Sequence, residues 1–185
     1  MSQTFQASPP LTSEDVAQYR AGDIINLSGT VFTARDAAHK RIVELLAKGE
    51  PAPFELQGAA IYYVGPTPAK PGKVIGSAGP TTSGRMDPYT PRMLDSGVKM
   101  LIGKGARGAE VREALQKHKA VYCAAIGGAA AIISRSITAC EIIAFPELGA
   151  EAVRKLTVKD FQVIVVNDVE GNDLHQLGIS RYRSI

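Results

Sequence analysis

Residues 79–91, GPTTSGRMDPYTP, bring hydroxyl groups, glycine and one arginine together in a short polar loop. The two glycines have the spacing of the phosphate-binding loop G-x-x-x-x-G-K-S/T, but Arg85 and Met86 stand where that loop has a lysine and a hydroxyl. A nucleotide site needs backbone N–H donors for the phosphates and a hydroxyl for magnesium. Pro80 has no N–H, and methionine does not bind a hard cation. The loop therefore gives phosphate binding little support.

A second glycine-rich segment, GKGARG at residues 103–108, matches the dinucleotide-binding pattern G-x-G-x-x-G between a predicted strand and a predicted helix. A site of that kind also needs an acidic residue for the ribose about 20 residues further on. The stretch in question reads CAAIGGAAA, and the next acid is Glu141. The segment is either a glycine-rich turn or a place where the backbone approaches a ligand to which Lys104 supplies a charge.

Three cations stand on three separate connections: Arg35, Arg85 and Lys104. Hydroxyl groups accompany them in the loop 79–91, at Thr81, Thr82 and Ser83. Each arginine can hold a carboxylate through two parallel N–H bonds, and lysine and threonine can serve the charge or hydroxyl in between. One such cation alone is typical of a solvated surface, but the set suits a small dicarboxylate.

The elements that must position these residues alternate between extended apolar runs and helical patterns, which predicts one compact, mixed α/β domain. We predict strands at 23–33 (with a break at Gly29), 58–66, 74–75, 98–103, 120–128 and 161–168. We predict helices at 36–49 (capped by Asp36), 111–118 and 147–156, a short helix or turn at 129–137, and an irregular tail from Gly171. The cations and threonines then follow the C-terminal ends of strands, where sites in α/β proteins usually form.

Length, composition and charge exclude several classes of protein. A chain of 185 residues with 45% hydrophobic residues suits one globular domain of ordinary size. Its formal net charge of +3 is dispersed, and no basic stretch has interleaved aromatic residues, which argues against nucleic-acid binding. No apolar run approaches the ~18 residues of a membrane span, and the N-terminus lacks the pattern of a signal peptide. We expect a cytoplasmic protein that binds neither nucleic acid nor membrane.

The residues that most often bind metals are few. Cys123 and Cys140 stand in apolar surroundings, which predicts free, buried thiols in a reducing compartment. Two cysteines and three scattered histidines cannot by themselves build an iron–sulfur cluster or a closed zinc site, so we predict no metal ligand in this chain. His39 is expected at the exposed start of a helix. Asp168, Asn172 and Asp173 in NDVEGNDL are expected to lie in a turn rather than in a calcium-binding loop.

The loop 79–91, preceded by TARDAAHKR and followed by MLIGKG, resembles the β subunit or C-terminal domain of the class I, iron–sulfur fumarate hydratases. Further similar motifs are YYVGPTP, VYCAAIGGAAA, ELGAEAVRKLTVKDF and the closing GNDL. The motifs stand in the family's order from about residue 12 to 174. The resemblance implies a swivelling β/β/α domain, with residues 1–185 forming a single, free-standing subunit.

The resemblance implies a hydro-lyase of the tricarboxylic acid cycle that reversibly hydrates fumarate to L-malate. A partner α subunit would hold the 4Fe–4S cluster, and this chain would bind the dicarboxylate through Arg35, Thr81, Thr82, Arg85 and Lys104. Thr81 would be the proton-transfer residue, with Lys104 as the second catalytic residue. The stoichiometry with α, and whether β also forms a homodimer, are left open by the resemblance.

Two alternatives stand beside this interpretation. The β subunit of L-tartrate dehydratase shares the GPTT and GKG elements, although the continuation SGRMDPYTP is more similar to the fumarase form. The second alternative is a non-catalytic module that binds small anions with the same cations. That module would bind its ligand as an isolated chain, whereas the hydro-lyase would be inert without its partner.

Overall fold

A seven-stranded sheet in the order β1-β2-β3-β4-β5-β7-β6 forms the frame of the protein in the computed structural model, which describes residues 2–183. Its strands are β1 (Thr4–Ala7), β2 (Ile24–Thr33), β3 (Ala60–Tyr62), β4 (Met100–Gly103), β5 (Val121–Ala124), β6 (Ile137–Ala144) and β7 (Val153–Asn167). Strands β1 to β5 run parallel to one another. The long β7 runs antiparallel to β5, β6 and β2, and its pairing with β2 closes the sheet on itself.

The helices are short and connect or flank these strands. They are α1 (Ser13–Ala17), α2 (Asp36–Ala47), α3 (Thr90–Asp95), α4 (Ala109–Lys117), α5 (Ala130–Ile133) and α6 (Leu174–Tyr182). Three 3₁₀ segments accompany them, at Ser83–Met86, Ser134–Ser136 and Pro146–Glu151. No helix in residues 2–183 is both long enough and apolar enough to cross a membrane.

The core consists of two apolar clusters, one on each face of the parallel strands. Along β4, Met100 and Ile102 contribute to the cluster inside the closed sheet, and Leu101 contributes to the cluster under the helices. This alternation follows from the two-residue period of a strand. The second cluster also takes buried residues from α2, α3 and α4, such as Ile42 and Val111. Because both faces of the strands are covered, the prediction of a single compact, mixed α/β domain is confirmed.

The predicted helix at 147–156 is wrong. Gly149 has φ 59° and ψ −114° inside the 3₁₀ segment, and β7 already begins at Val153. From there burial alternates, so that Leu156 and Val158 are buried while the residue between them is exposed. This part of β7 is paired on both sides, with β2 and with β6. Hydrogen bonding to two neighbours outweighs the weak helical preference of the local sequence.

Two further predictions are corrected. The tail is not irregular, because α6 begins where the Asp173 carboxylate accepts hydrogen bonds from the backbone N–H groups of His175 and Gln176, as an N-cap does. Val74 and Ile75 lie outside all strands, in a loop that follows a proline-rich stretch. A two-residue apolar run between turns has too few backbone groups to establish a ladder of its own.

The remaining elements agree with the predictions in type, but β3 and β5 end four residues earlier than predicted, and β7 begins eight residues earlier. Strand β2 has the expected break, since its register on β7 shifts between Leu27 and Gly29, where φ is 114°. The elements that had no sequence prediction are short or lie at edges: β1, β6, α1 and α3.

Candidate functional site

The three hydroxyl residues Thr81, Thr82 and Ser83, here called the hydroxyl strip, lie between the chain segments that continue β3 and β4. The Thr81 N–H donates to the Tyr63 carbonyl at 2.7 Å, and the Lys104 N–H donates to the Thr81 carbonyl at 3.2 Å. The Ser83 N–H in turn donates to the Lys104 carbonyl at 2.9 Å. Backbone bonds on both sides therefore hold Thr81, Thr82 and Lys104 next to one another.

Gly103 makes this close approach possible. A Cβ atom at this position would collide with the Ser83 hydroxyl and lie 2.9 Å from the Tyr63 ring. The Ser83 hydroxyl is 2.9 Å from the Tyr122 hydroxyl, which donates to the Gly105 carbonyl at 2.8 Å. Burial raises the pKa of Tyr122 to about 12, so this hydroxyl remains a donor at neutral pH. The Tyr122 hydroxyl thus connects the hydroxyl strip to the glycine-rich segment 103–108.

Arg35 reaches the same edge of the sheet from the start of α2. Its Nη2 lies 3.1 Å from Glu151 Oε1 and 3.5 Å from Asp36 Oδ1, and its side chain is only 20% exposed. A Cβ at Gly65 would lie 2.9 Å from Arg35 Nη1, so the guanidinium rests against a backbone that has no side chain. Arg35 therefore lies beside the chain that continues β3, which also pairs with the hydroxyl strip.

The start of α2 differs from the prediction that Asp36 caps it. Arg35 occupies the N-cap position and forms no side-chain cap bond. An oxygen from a distant segment replaces the missing cap, because Glu151 Oε2 accepts from the Ala37 N–H at 3.0 Å. A carboxylate is also the favourable charge at a helix N-terminus.

Arg85 stands on the 3₁₀ turn that continues the hydroxyl strip, and its side chain is exposed. Within residues 2–183 no hydrogen bond or ion pair engages this side chain. Helix α2 packs against the same turn. Of the five predicted site residues, Thr81, Thr82 and Lys104 are joined directly, while Arg35 and Arg85 flank them from α2 and from the turn.

Arg107 and Asp87 connect the two loops of this arrangement and were not predicted. The buried Arg107 donates from Nε to Asp87 Oδ1 at 2.7 Å and from Nη2 to Thr90 Oγ1 at 2.7 Å. Its guanidinium carbon lies 4.9 Å from the centre of the Tyr122 ring. Asp87 Oδ2 also accepts from the Gly108 N–H at 2.8 Å, at the N-terminus of α4. The carboxylate of Asp87 thus takes the place that a pyrophosphate occupies in a dinucleotide site.

His39 is fully buried rather than exposed at the surface. Its Nδ1 donates to the Arg35 carbonyl at 2.9 Å, and its ring meets Tyr63 edge-on at 5.2 Å between centroids. Burial lowers the pKa of His39 to about 4, against an opposing contribution from its bond to the Arg35 backbone. The imidazole is therefore neutral at physiological pH and acts as a packing and hydrogen-bonding group under the site.

The buried, neutral His39 predicts a loss of stability in acid. In the unfolded chain the imidazole takes up its proton near pH 6.5, and in the folded chain only near pH 4. The contribution of neutral His39 to the free energy of unfolding is complete above about pH 6.5. It is lost as the pH falls to about 4, by about 3 kcal/mol in total. Urea unfolding between pH 4 and 8 should show a smaller acid loss for His39→Gln than for wild type. Parallel pH profiles would contradict this prediction.

The two cysteines are free, but only Cys123 is buried as predicted. Cys140 is half-buried on β6. Burial raises the pKa of both thiols, which makes them poor metal ligands and poor nucleophiles. In the described part of the chain, residues 2–183, no three His, Cys, Asp or Glu side chains come together as a metal site.

The turn predicted near the C-terminus is confirmed. Asp168 Oδ1 accepts from the backbone N–H groups of Glu170 and Asn172, both at 3.0 Å. Its second oxygen accepts from the Asn172 side chain at 2.8 Å and from the Ala21 N–H at 3.0 Å. Both oxygens of the Asp168 carboxylate therefore accept hydrogen bonds that stabilise the turn.

Comparison with known proteins places this chain in a family. A sequence model described as Fumarase C-terminus matches residues 3–178. "Fumarate hydratase 2" of Leishmania major is 42% identical over 164 residues, which are 88% of this chain and 29% of that protein. "Fumarate hydratase class I, aerobic" of Escherichia coli K12 is 39% identical over 163 residues, 87% of this chain and 30% of that protein.

A third relative differs from these two fumarate hydratases in length and in name. A protein of Methanocaldococcus jannaschii, provisionally named the beta subunit of an L(+)-tartrate dehydratase, is 37% identical over 172 residues, 90% of this chain and 88% of that protein. The chain therefore spans under a third of the length of the two fumarate hydratases above, and nearly all of this one. Both names denote hydro-lyases. Because the family model covers almost the whole chain, this protein belongs to the family of fumarase C-terminal domains and beta subunits.

Proposed function

We propose that this chain is the β subunit of a two-subunit hydro-lyase that reversibly hydrates fumarate to L-malate, and that it clamps the dicarboxylate. The observation that carries the proposal is the cation set at the strand ends. Arg35 and Arg85 flank the hydroxyl strip, and Lys104 is bonded to it through the backbone. The two arginines match the two carboxylates of fumarate in number and charge, and the lysine adds a third cation between them.

In this proposal each residue has a separate task. Arg35 and Arg85 bind one carboxylate each, and Thr82 and Lys104 orient the substrate between them. Such positioning lowers the barrier because the reacting atoms are already aligned when the complex forms. Thr81 is half-buried and held by backbone bonds on both sides. In hydration its Oγ–H gives its proton to the carbon that does not receive the hydroxyl, and in dehydration the Oγ alkoxide takes that proton back. The positive charge of the adjacent Lys104 favours the transient alkoxide of Thr81.

The residues of this chain do not fit an iron–sulfur cluster. Cys123 lies in the core, Cys140 lies on β6, and neither belongs to a group of three metal-ligating side chains within residues 2–183. We therefore assign the 4Fe–4S cluster to a partner α subunit, where an open iron would act as a Lewis acid on the hydroxyl group. The existence of a relative named as a beta subunit supports such a partner. The free thiols suit a cytoplasmic enzyme.

L-Tartrate is the second candidate substrate. The relative named as a tartrate dehydratase beta subunit, which is 37% identical over 172 residues, favours it. Tartrate has the same two carboxylates as malate and one more hydroxyl, so the same cations would serve it.

The test is anaerobic co-expression of this chain with a cluster-bearing α subunit, followed by assays with fumarate, L-malate and L-tartrate. We expect turnover of fumarate and L-malate by the assembled pair and none by either subunit alone. Each subunit alone provides the control, and iron and sulfide analysis verifies that the cluster is intact.

The other outcomes have definite meanings. Turnover of tartrate alone would move the assignment to tartrate dehydratase. An assembled, cluster-loaded pair that is inactive with all three substrates would refute the hydro-lyase. Dicarboxylate binding by the isolated chain would then support the small-anion module.

A further inference from the structure

Glu151 joins the site to the start of α2 through both of its carboxylate oxygens. Oε1 forms an ion pair with Arg35 Nη2 at 3.1 Å, and Oε2 accepts from the Ala37 N–H at 3.0 Å. The side chain of Glu151 is 22% exposed, similar to the 20% of Arg35, so water screens this pair less than a surface pair. One carboxylate therefore sets both the first turn of α2 and the direction of the guanidinium.

The segment that carries Glu151 is itself held in place by Arg154. Nη1 of Arg154 donates to the carbonyls of Ala150 and Ala152, both at 3.0 Å. Nη2 donates to the Gly149 carbonyl at 2.8 Å. The guanidinium thus binds three carbonyl groups of the turn that precedes β7. Since Arg154 belongs to β7, the position of Glu151 is fixed relative to the sheet.

The backbone at Gly65 lies against the Arg35 guanidinium at Nη1, whereas Glu151 lies at Nη2. A Cβ there would come within 2.9 Å of Arg35 Nη1 and 3.3 Å of the Ala150 carbonyl, so arginine, turn and strand extension meet at one point. The Nε of Arg35 is buried and has no hydrogen-bond partner. Of the two ion pairs that Arg35 forms in the described chain, the one with Glu151 is the shorter, at 3.1 Å against 3.5 Å to Asp36.

We propose that Glu151 is a positioning residue, which holds the Arg35 guanidinium in the direction needed to receive a substrate carboxylate. The inference rests on the proposed function in that Arg35 is taken to bind the substrate. Glu151 does not contact the substrate and acts only through Arg35. A guanidinium held in advance loses less freedom when the carboxylate binds, so Glu151 strengthens binding rather than the chemical step.

The variant Glu151→Gln tests this proposal, because glutamine keeps the shape and removes the charge. In the enzyme assembled with its α subunit, we expect KM for the dicarboxylate to rise about fivefold to tenfold and kcat to change less than about twofold. The matched control is Glu147→Gln. Glu147 lies on the same 3₁₀ segment and pairs with Arg41 of α2, so it also links the segment to α2, but at an exposed place. Its KM should equal that of wild type.

A double-mutant cycle with Arg35→Ala separates positioning from general damage. If Glu151 acts through Arg35, adding Glu151→Gln to Arg35→Ala should leave KM unchanged from that of Arg35→Ala alone. An equal rise in KM with and without Arg35, or an equal effect of Glu147→Gln, would overturn the proposal. Should Arg35→Ala itself leave KM unchanged, Arg35 does not bind the substrate, and the role of Glu151 is refuted, whereas the clamp as a whole is refuted only if Arg85→Ala also leaves KM unchanged.

A spectroscopic readout is independent of turnover. In ¹H–¹⁵N spectra of this chain, the Nε–H signal of Arg35 can be identified by its loss in Arg35→Lys. We expect slow exchange of this proton with water in wild type and in Glu147→Gln, and faster exchange in Glu151→Gln. Equal exchange in all three proteins would show that Glu151 does not orient the guanidinium and would overturn the proposal.

Discussion

Replacement of Arg85 by alanine is expected to raise KM for fumarate about 100-fold in the assembled enzyme and to leave the stability of the chain unchanged. A charge-assisted, bidentate contact with a carboxylate contributes about 3 kcal/mol, which corresponds to that factor. Stability should not change because the side chain is exposed and engages no other residue of the described chain. Steady-state kinetics and thermal unfolding of the same preparation measure both effects.

The control for Arg85→Ala is Arg92→Ala. Arg92 is also exposed and lies on α3, close in sequence to the hydroxyl strip, but its partner is Asp95 on the same helix. KM should remain at the wild-type value in this variant. A KM unchanged in both Arg85→Ala and Arg35→Ala would discard the clamp. Arg35→Ala should in addition lose some stability, because it leaves Glu151 without its cation.

The second large effect is expected for Asp87→Asn, which should lower the free energy of unfolding by about 3 kcal/mol and the melting temperature by about 10 °C. The Arg107 side chain is completely buried, and Asp87 is the acid paired with it. Removal of one partner leaves a buried charge without compensation, which costs more than the pair contributes. Thermal and urea unfolding of the isolated chain measure this loss.

The same substitution should lower activity, because Asp87 connects the two loops of the site. It accepts from Arg107 and from the Gly108 N–H, and so holds the segment with Lys104 against the loop with Thr81 and Arg85. The control is Asp95→Asn, which breaks an exposed pair on one helix turn and should cost less than about 1 kcal/mol. If Asp87→Asn melts within about 2 °C of wild type, the pair is not a structural link between the loops.

The sequence was sufficient for most of the parallel half of the sheet. β2, β3, β4 and β5 are apolar runs bounded by glycine or by polar turns, and local pattern determines such buried strands. Local pattern failed at 147–156, where the residues after Gly149 are strand because β2 and β6 pair with them from both sides. The β2 partners are distant in sequence, since Thr33 lies opposite Arg154, so no short window of sequence contains these deciding contacts.

The location of the candidate site was also accessible from the sequence. Arg35, Thr81 and Lys104 each follow a strand or an apolar run that ends in a polar connection. Parallel strands bring their C-terminal ends to one edge, so side chains far apart in sequence were expected to meet there. The backbone bonds between Thr81 and Lys104 agree with that expectation, while the roles of these residues stay predictions.

What the sequence alone determined is therefore the class of fold and the set of polar groups at the strand ends, because both follow from short-range patterns of burial and chain direction. The tertiary structure alone decided which strands and which charged side chains pair with one another. It closes the sheet through β7, pairs Asp87 with the buried Arg107, and brings Glu151 to the start of α2 from 114 positions away. These partners are selected by packing of distant segments, and such contacts leave no periodic signal in the chain.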